Sequence, residues 1–142
     1  MTRFLMSPTE GVDLVLYAFA CACSGEIFVQ KAPATTIGTL AQALRELVNR
    51  NNEIKIIGTR HGEKLYESLV SREEMVRCED LGNYYRIPAA SRDLNCNKHF
   101  VDGETQISRT EDYTSHNAQR LDVGQTEEVL MKVSIVRGAM NA

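Results

Sequence analysis

The apolar positions of this chain change period several times, and the breaks mark its elements. Ser7-Pro8-Thr9-Glu10 has the form of a capping box, with Pro8 at the first helical position, where its missing N–H costs nothing. Val12, Val15, Leu16 and Phe19 follow at the spacing of one helix face, and Gly25 is a suitable stop. The pattern predicts a helix over 8–23. Glu26-Ile27-Phe28-Val29-Gln30 is short, β-branched and aromatic, and Pro33 closes it, so it reads as a strand. Thr35 or Thr36 then caps a second helix with the stripe Ile37, Leu40, Ala41, Leu44, Leu47 and Val48, broken at Asn49-Arg50-Asn51-Asn52. Ile54-Lys55-Ile56-Ile57-Gly58 reads as a second strand. Helix, strand, helix, strand implies an α/β arrangement.

Beyond it, Gly58-Thr59-Arg60-His61-Gly62-Glu63-Lys64-Leu65-Tyr66-Glu67 reads as the end of a strand, a loop with two glycines and clustered charge, and the start of a helix. Ser71-Arg72-Glu73-Glu74 is a second capping box, ahead of Met75 and Val76. Tyr84-Tyr85-Arg86-Ile87-Pro88 is a short strand stopped by proline. From 89 to 125 the chain is polar and weakly patterned, too long for an ordinary loop, and is expected to form an arm that packs on something else, another subunit included. Val129, Leu130 and Val133 suggest a final helix over about 126–136.

Composition narrows the classes. With 142 residues, 43% hydrophobic and 25% charged, the chain suits one globular domain. Sixteen Lys and Arg against nineteen Asp and Glu leave a net charge of −3, with no basic excess for a nucleic acid or an anionic membrane. No apolar run approaches the ~20 residues of a membrane span, and the first residues lack the pattern of a signal peptide. Cys21, Cys23, Cys78 and Cys96 are too few for a disulfide scaffold, which favours the reducing cytoplasm.

Most candidate chemistry is thin. Cys21-Ala22-Cys23 lies in a predicted helix, where residues two apart diverge, so inert buried thiols are expected rather than a metal site. His61, His99 and His116 form no metal-binding pattern. No glycine-rich dinucleotide loop is present, and none of Tyr17, Tyr66, Tyr84, Tyr85 and Tyr113 has a lysine four residues on. The exception is Arg60-His61-Gly62-Glu63-Lys64. An arginine at the carboxyl end of a predicted strand can bond two phosphate oxygens, Gly62 lets backbone approach closely, and Glu63 can accept from a sugar diol. From the residues alone, a solvated charged loop is still the better account.

Several motifs in order alter that balance. Met1-Thr2-Arg3-Phe4 ahead of a capped helix, Phe28 to Ala34, Ile57 to Glu67, Tyr85 to Ala89, Arg92-Asp93-Leu94-Asn95, Tyr113 to Asn117 and Arg120 to Val123 together resemble the carboxyl-terminal portion of bacterial UDP-N-acetylglucosamine 4,6-dehydratases (5-epimerising) of capsule and O-antigen synthesis, in the extended short-chain dehydrogenase/reductase superfamily. The resemblance covers nearly the whole chain. It implies an α/β fold that is the substrate-binding part of such an enzyme with the Rossmann half missing, divided into a nucleotide-sugar-binding domain over 1–88 and a carboxyl-terminal arm and helix over 89–142.

It also implies roles. Arg3 and Arg60 grip the nucleotide diphosphate, Glu63 holds ribose hydroxyls, and Lys31 and Lys64 are further substrate contacts, with structural salt bridges as their alternative. It places no catalytic, cofactor-binding or metal-binding residue in this chain; NAD(P) belongs to the amino-terminal half of the full enzymes. The partners implied are a UDP-sugar, an amino-terminal Rossmann half or homologous subunit, and further copies of the chain. The alternative is a non-catalytic binding or oligomerisation subunit that complements a separately encoded Rossmann half. A full enzyme of the group oxidises the hexose at C4, loses water between C5 and C6, returns the hydride to C6 and epimerises C5; this chain's share would be orientation. The isolated chain is therefore expected to give no 4-keto product from UDP-N-acetylglucosamine and NAD(P), and turnover above background would refute this.

Overall fold

Short local signals decide most of the secondary structure. In the computed structural model, which describes residues 1–89 and 107–140, the Ser7 box forms as written: the Glu10 N–H donates to Ser7 Oγ at 3.2 Å and the Ser7 N–H to Glu10 Oε2 at 2.7 Å. That backbone donor is the main reason the Glu10 carboxyl is held below its ordinary value. Helix α1 then runs Pro8–Cys21. Thr36 caps α2 (Ile37–Leu47) by accepting from the Thr39 N–H at 3.0 Å. The Ser71 box opens a one-turn helix, α3 (Arg72–Met75), with both reciprocal hydrogen bonds in place.

The remaining elements are β1 (Thr2–Phe4), β2 (Ile27–Gln30), β3 (Ala34–Thr36), β4 (Ser68–Val70), β5 (Glu79–Asp80), β6 (Tyr84–Ile87), β7 (Tyr113–Thr114), α4 (Val123–Met131) and α5 (Ser134–Met140), with a 3-10 turn at Ile107–Arg109. They divide into two compact units.

The first unit comprises residues 1–12, 32–67 and 114–142. β1 and β3 pair antiparallel, with Thr2 opposite Thr36 and Phe4 opposite Ala34. The other side of β3 is held by the Ala34 N–H donating to the Gln119 carbonyl and the Leu121 N–H to the Ala34 carbonyl. α2 packs on α4, and the seam is made of small side chains: Ala43 and Thr126 are fully buried, and Thr35 Oγ1 lies 3.4 Å from Thr126 Oγ1. Small residues let the backbones approach, so a larger side chain at Ala43 would collide.

The second unit comprises residues 13–31 and 68–113. Its sheet has the order β2-β6-β5, all antiparallel, with Phe28 opposite Arg86 and Val29 opposite Tyr85. Tyr17 of α1 stacks on Tyr84 at 4.5 Å and meets Phe28 edge-on at 5.6 Å. These aromatic contacts, worth about 0.5–1.5 kcal/mol each beyond area, fasten the helix to the sheet. Gly25 sits at φ +85°, and a Cβ there would lie 3.0 Å from Ala89 Cβ, which requires glycine twice over.

Four expectations are corrected. Residues 54–58 form no strand; the span is irregular and exposed, with Ile56 at 91%. A strand needs a neighbour to take its backbone groups, and the described residues supply none there. No helix begins at 64–67, because Leu65 and Glu67 give their backbone groups to Thr2 and Ser115, and extended β4 follows. The last helix starts earlier and is broken in two: Asp122 and Gln125 form a capping box ahead of α4, and Lys132 caps it, ahead of α5. Cys21 and Cys23 are exposed rather than buried, because α1 buries no residue at all. The proposed arm falls largely on residues 90–106, outside the described residues, as do Arg92 to Asn95 and Cys96. Among the described residues no helix is long and apolar enough to cross a membrane.

The exposed face of α1, with Val12, Val15, Leu16 and Phe19 (85% exposed), is an apolar stripe open to association. The isolated chain should therefore self-associate: its sedimentation coefficient should rise with concentration, and Leu16→Lys with Phe19→Glu should suppress the rise. A monodisperse parent monomer would contradict this.

Candidate functional site

In the first unit three segments distant in sequence meet at one buried hydroxyl. Ser115 is fully buried. Its Oγ accepts from the Glu67 N–H at 2.9 Å, lies 2.9 Å from Thr2 Oγ1 and 3.1 Å from the Thr2 carbonyl. Its N–H donates to the Glu67 carbonyl at 2.8 Å, and its own carbonyl accepts from Arg120 at 3.4 Å. The Thr2 N–H donates to the Leu65 carbonyl at 2.8 Å. β1, the 64–67 segment and the turn after β7 are thereby locked together. The turn is itself braced, since Asn117 Oδ1 accepts from the Thr114 N–H and hydroxyl, and Arg120 donates to the His116 carbonyl.

The 60–64 loop leads into this junction. Gly62 at φ +83° makes the turn, the Glu63 N–H donates to the Arg60 carbonyl at 3.2 Å, and Glu63 Oε2 accepts from the Arg60 N–H at 2.9 Å. Glu63 thus braces the turn that carries Arg60, a role its sequence does not announce. The Arg60 guanidinium, His61 and the Lys64 ammonium are exposed and hold no partner among the described residues. Arg60, His61 and Lys64 thus lie within five residues on a turn whose carboxylate, Glu63, accepts from the turn's own backbone.

The other candidates are differently placed. Arg3 is tied into the fold: Nη1 donates to the Thr2 carbonyl at 2.7 Å, Nη2 to the Lys64 carbonyl at 3.0 Å, and Nε lies 3.7 Å from Glu67 Oε1, so two of its five N–H donors are hydrogen-bonded within the chain. Lys31 belongs to the second unit, where its ammonium pairs with Asp80 and lies 4.4 Å from the Tyr85 ring centroid. That pairing holds the Asp80 carboxyl below its usual range. Arg86, not singled out from the sequence, pairs with Glu79 and lies 3.9 Å from Glu26; the Glu79 contact raises its pKa. The structure therefore gathers Arg3, Arg60, Glu63 and Lys64 in one unit and puts Lys31 in the other. It adds Thr2, Glu67, Ser115 and Arg120, and Tyr66, whose ring lies 6.1 Å from His116. No three His, Cys, Asp or Glu among the described residues are grouped to hold a metal.

The described elements form a mixed α/β frame, and comparison with known proteins shows its family. The family described as "Polysaccharide biosynthesis protein" matches residues 1–89, and "Polysaccharide biosynthesis protein C-terminal" matches 91–137. The chain belongs to the polysaccharide biosynthesis protein family. It is 59% identical over 137 residues to a protein of Rickettsia bellii (strain OSU 85-389) named UDP-glucose 4-epimerase, covering 96% of this chain and 40% of that protein. A protein of the same name from Rickettsia rickettsii (strain Sheila Smith) is 57% identical over the same shares. The chain thus spans about 40% of the length of these relatives. Among solved structures, Pen from Bacillus thuringiensis matches with a TM-score of 0.70 and 25% identity, over 93% of this chain and 37% of that one.

Ser115→Ala should test the junction. It strands the Glu67 N–H in a buried position, which costs about 1–3 kcal/mol. Urea unfolding should show a fall of that size, whereas the exposed His116→Ala should change stability by less than ~0.5 kcal/mol.

Proposed function

We propose that the chain is the substrate-holding carboxyl-terminal part of a nucleotide-sugar dehydratase/epimerase, and that the 60–64 turn grips the diphosphate of a UDP-sugar. The observation that carries this reading is the Arg60 turn: its backbone is fixed from both ends by Glu63 while its guanidinium is left uncommitted. A planar guanidinium can bond two phosphate oxygens at once, and with the backbone already braced only the side chain remains to be ordered on binding. Lys64 adds a point charge, and the free oxygen of Glu63 suits a ribose hydroxyl. Arg3 keeps three N–H donors that make no hydrogen bond within the chain, whereas Lys31 is paired with Asp80 in the second unit.

The names of the Rickettsia relatives support a UDP-hexose. UDP-N-acetylglucosamine and UDP-glucose share the diphosphate that this loop would hold; the dehydratase resemblance favours the first and those names the second. Capsule or O-antigen synthesis in the cytoplasm is the proposed setting. Neither a glycine-rich dinucleotide loop nor a Tyr-x-x-x-Lys pair stands in these 142 residues, so they do not fit NAD(P) and none is assigned to it. The residues here bind and orient: holding the remote nucleotide fixes the hexose against groups carried elsewhere. The proposed partner is an amino-terminal Rossmann portion like the 60% of the relatives that this chain does not match, with homo-oligomers as a further assembly. The exposed α1 face and the unpaired Ile54 to Ile57 are the surfaces such a partner would cover.

The test is calorimetric titration with UDP of the chain assembled with the amino-terminal portion of the Rickettsia bellii relative. Arg60→Ala should weaken binding roughly 10- to 150-fold, the worth of a charge-assisted hydrogen bond. Arg60→Lys should recover little. Glu63→Gln should cost less than Arg60→Ala, since the amide oxygen still accepts from the Arg60 N–H. Unchanged UDP affinity in Arg60→Ala would remove the site.

A further inference from the structure

The span between α2 and the basic turn has the residues of a strand and no strand beside it. We infer that residues 54–57 are a docking strand: in the assembly they pair, backbone to backbone, with a free strand edge of the amino-terminal portion. This deepens the proposed function, since it rests on that partner and says how the partner is held.

Ile54, Ile56 and Ile57 are β-branched, and the run holds no proline, glycine or acidic residue. Yet residues 51–60 are exposed throughout, and among the described residues no hydrogen bond to residues 51–59 is made. The flanks are tied. On one side the Val48 N–H donates to the Leu44 carbonyl and the Arg50 N–H to the Arg45 carbonyl, each at 3.1 Å. On the other, Arg60 and Glu63 close their turn and the Leu65 carbonyl takes the Thr2 N–H. The span can therefore take up a neighbour without unfolding the unit that carries it. Gly58 ends the run at φ +78°, a backbone angle that an isoleucine would resist.

Strand alternation would put Ile54 and Ile56 on one face and Lys55 and Ile57 on the other, so both faces carry apolar side chains. That suits a strand added to a sheet already formed. A second copy of the chain would offer only the same short run, and a two-stranded ribbon of that length is marginal in water. An open α/β sheet has two edges with unpaired N–H and C=O groups. The chain covers 40% of the Rickettsia relatives, so more than half of each lies outside the match, and such a sheet is what the proposed amino-terminal portion supplies.

The test compares the 142-residue chain alone, in dilute solution, with the chain assembled with the amino-terminal portion of the Rickettsia bellii relative. In the chain alone the amides of Lys55, Ile56 and Ile57 should exchange as in an unfolded peptide; in the assembly at least one should slow by about tenfold or more. Successive N–H groups of a strand point to opposite edges, so proline is placed at Ile56 and Ile57 in turn, each against alanine, which loses the side chain but keeps the donor. At one position at least, proline should weaken assembly roughly tenfold more than alanine. None of the four variants should lower the urea midpoint of the chain alone, because neither residue is buried or hydrogen-bonded there. Equal losses for proline and alanine at both positions would mean an apolar contact without pairing and would overturn the proposal. So would amides that stay fast in the assembly, protection that grows with concentration in the chain alone, or no association at all. Titration with UDP keeps the two readings apart. If the strand pairs while Arg60→Ala leaves UDP affinity unchanged, the docking stands and the diphosphate site falls; if Arg60→Ala weakens UDP binding while residues 54–57 stay open, the docking falls and the site stands.

Discussion

One buried serine hydroxyl sets what the first unit can be. Ser115 Oγ takes the Glu67 N–H and lies against the hydroxyl and carbonyl of Thr2, so β1, the end of the basic loop and the turn after β7 can meet only in one register. A buried polar atom is tolerated when every bond is made and costly when one is missing. The junction therefore behaves as a lock rather than a glue: it specifies the arrangement more than it stabilises it. The partners lie 48 and 113 residues away in sequence, so the basic loop acquires its shape only after the carboxyl-terminal region has returned to the amino-terminal strand.

The core built around that lock is small in volume. Its most buried members are Ala34, Thr35, Ala43, Ser115 and Thr126, whereas Phe19, Ile56 and Ile57 stay outside. Hydrophobic burial scales with apolar area removed from water, and alanines and threonines remove little. Much of the driving force encoded in this sequence is therefore unspent in the chain as it stands.

What could be read in the sequence follows from the range of each interaction. The Ser7 and Ser71 boxes and the Thr36 cap involve residues three apart, and each forms where its pattern stands. β2 and β6 were also legible, because β-branched and aromatic runs closed by proline leave few alternatives. Ile54 to Ile57 has the same composition and stays irregular; composition gives a strand its tendency, and a neighbouring backbone gives it existence. The start of α4 is hidden in the apolar pattern, because Val129, Leu130 and Val133 lie well past its Asp122 box and its buried anchor is Thr126, a polar residue at a packing position. The charge of the loop is legible in the sequence, yet its geometry is not: that Glu63 braces the turn, and that Arg3 donates to the Lys64 carbonyl and faces Glu67, depends on contacts no spacing rule encodes.

The two lysines proposed for substrate show why position alone does not assign a role. Lys64 gives only its backbone carbonyl to the fold, so its ammonium is free to follow a ligand at little cost. Lys31 sits between the Asp80 carboxylate and the face of Tyr85, and a phosphate would have to outbid both. Asp80 is itself tied to the Gly82 N–H at 2.8 Å, so the carboxylate cannot follow the lysine away. Drawing Lys31 off would leave that carboxylate unpaired beside an aromatic face that prefers a cation. The same competition governs the arginines. The neighbours of Arg60 use its backbone and leave its fork alone, while those of Arg3 take one N–H from each Nη and leave the others. What sets Arg60 and Lys64 apart from the other exposed cations is not the lack of a partner but the backbone that carries them, closed at Arg60 and Glu63 and held at the Lys64 carbonyl.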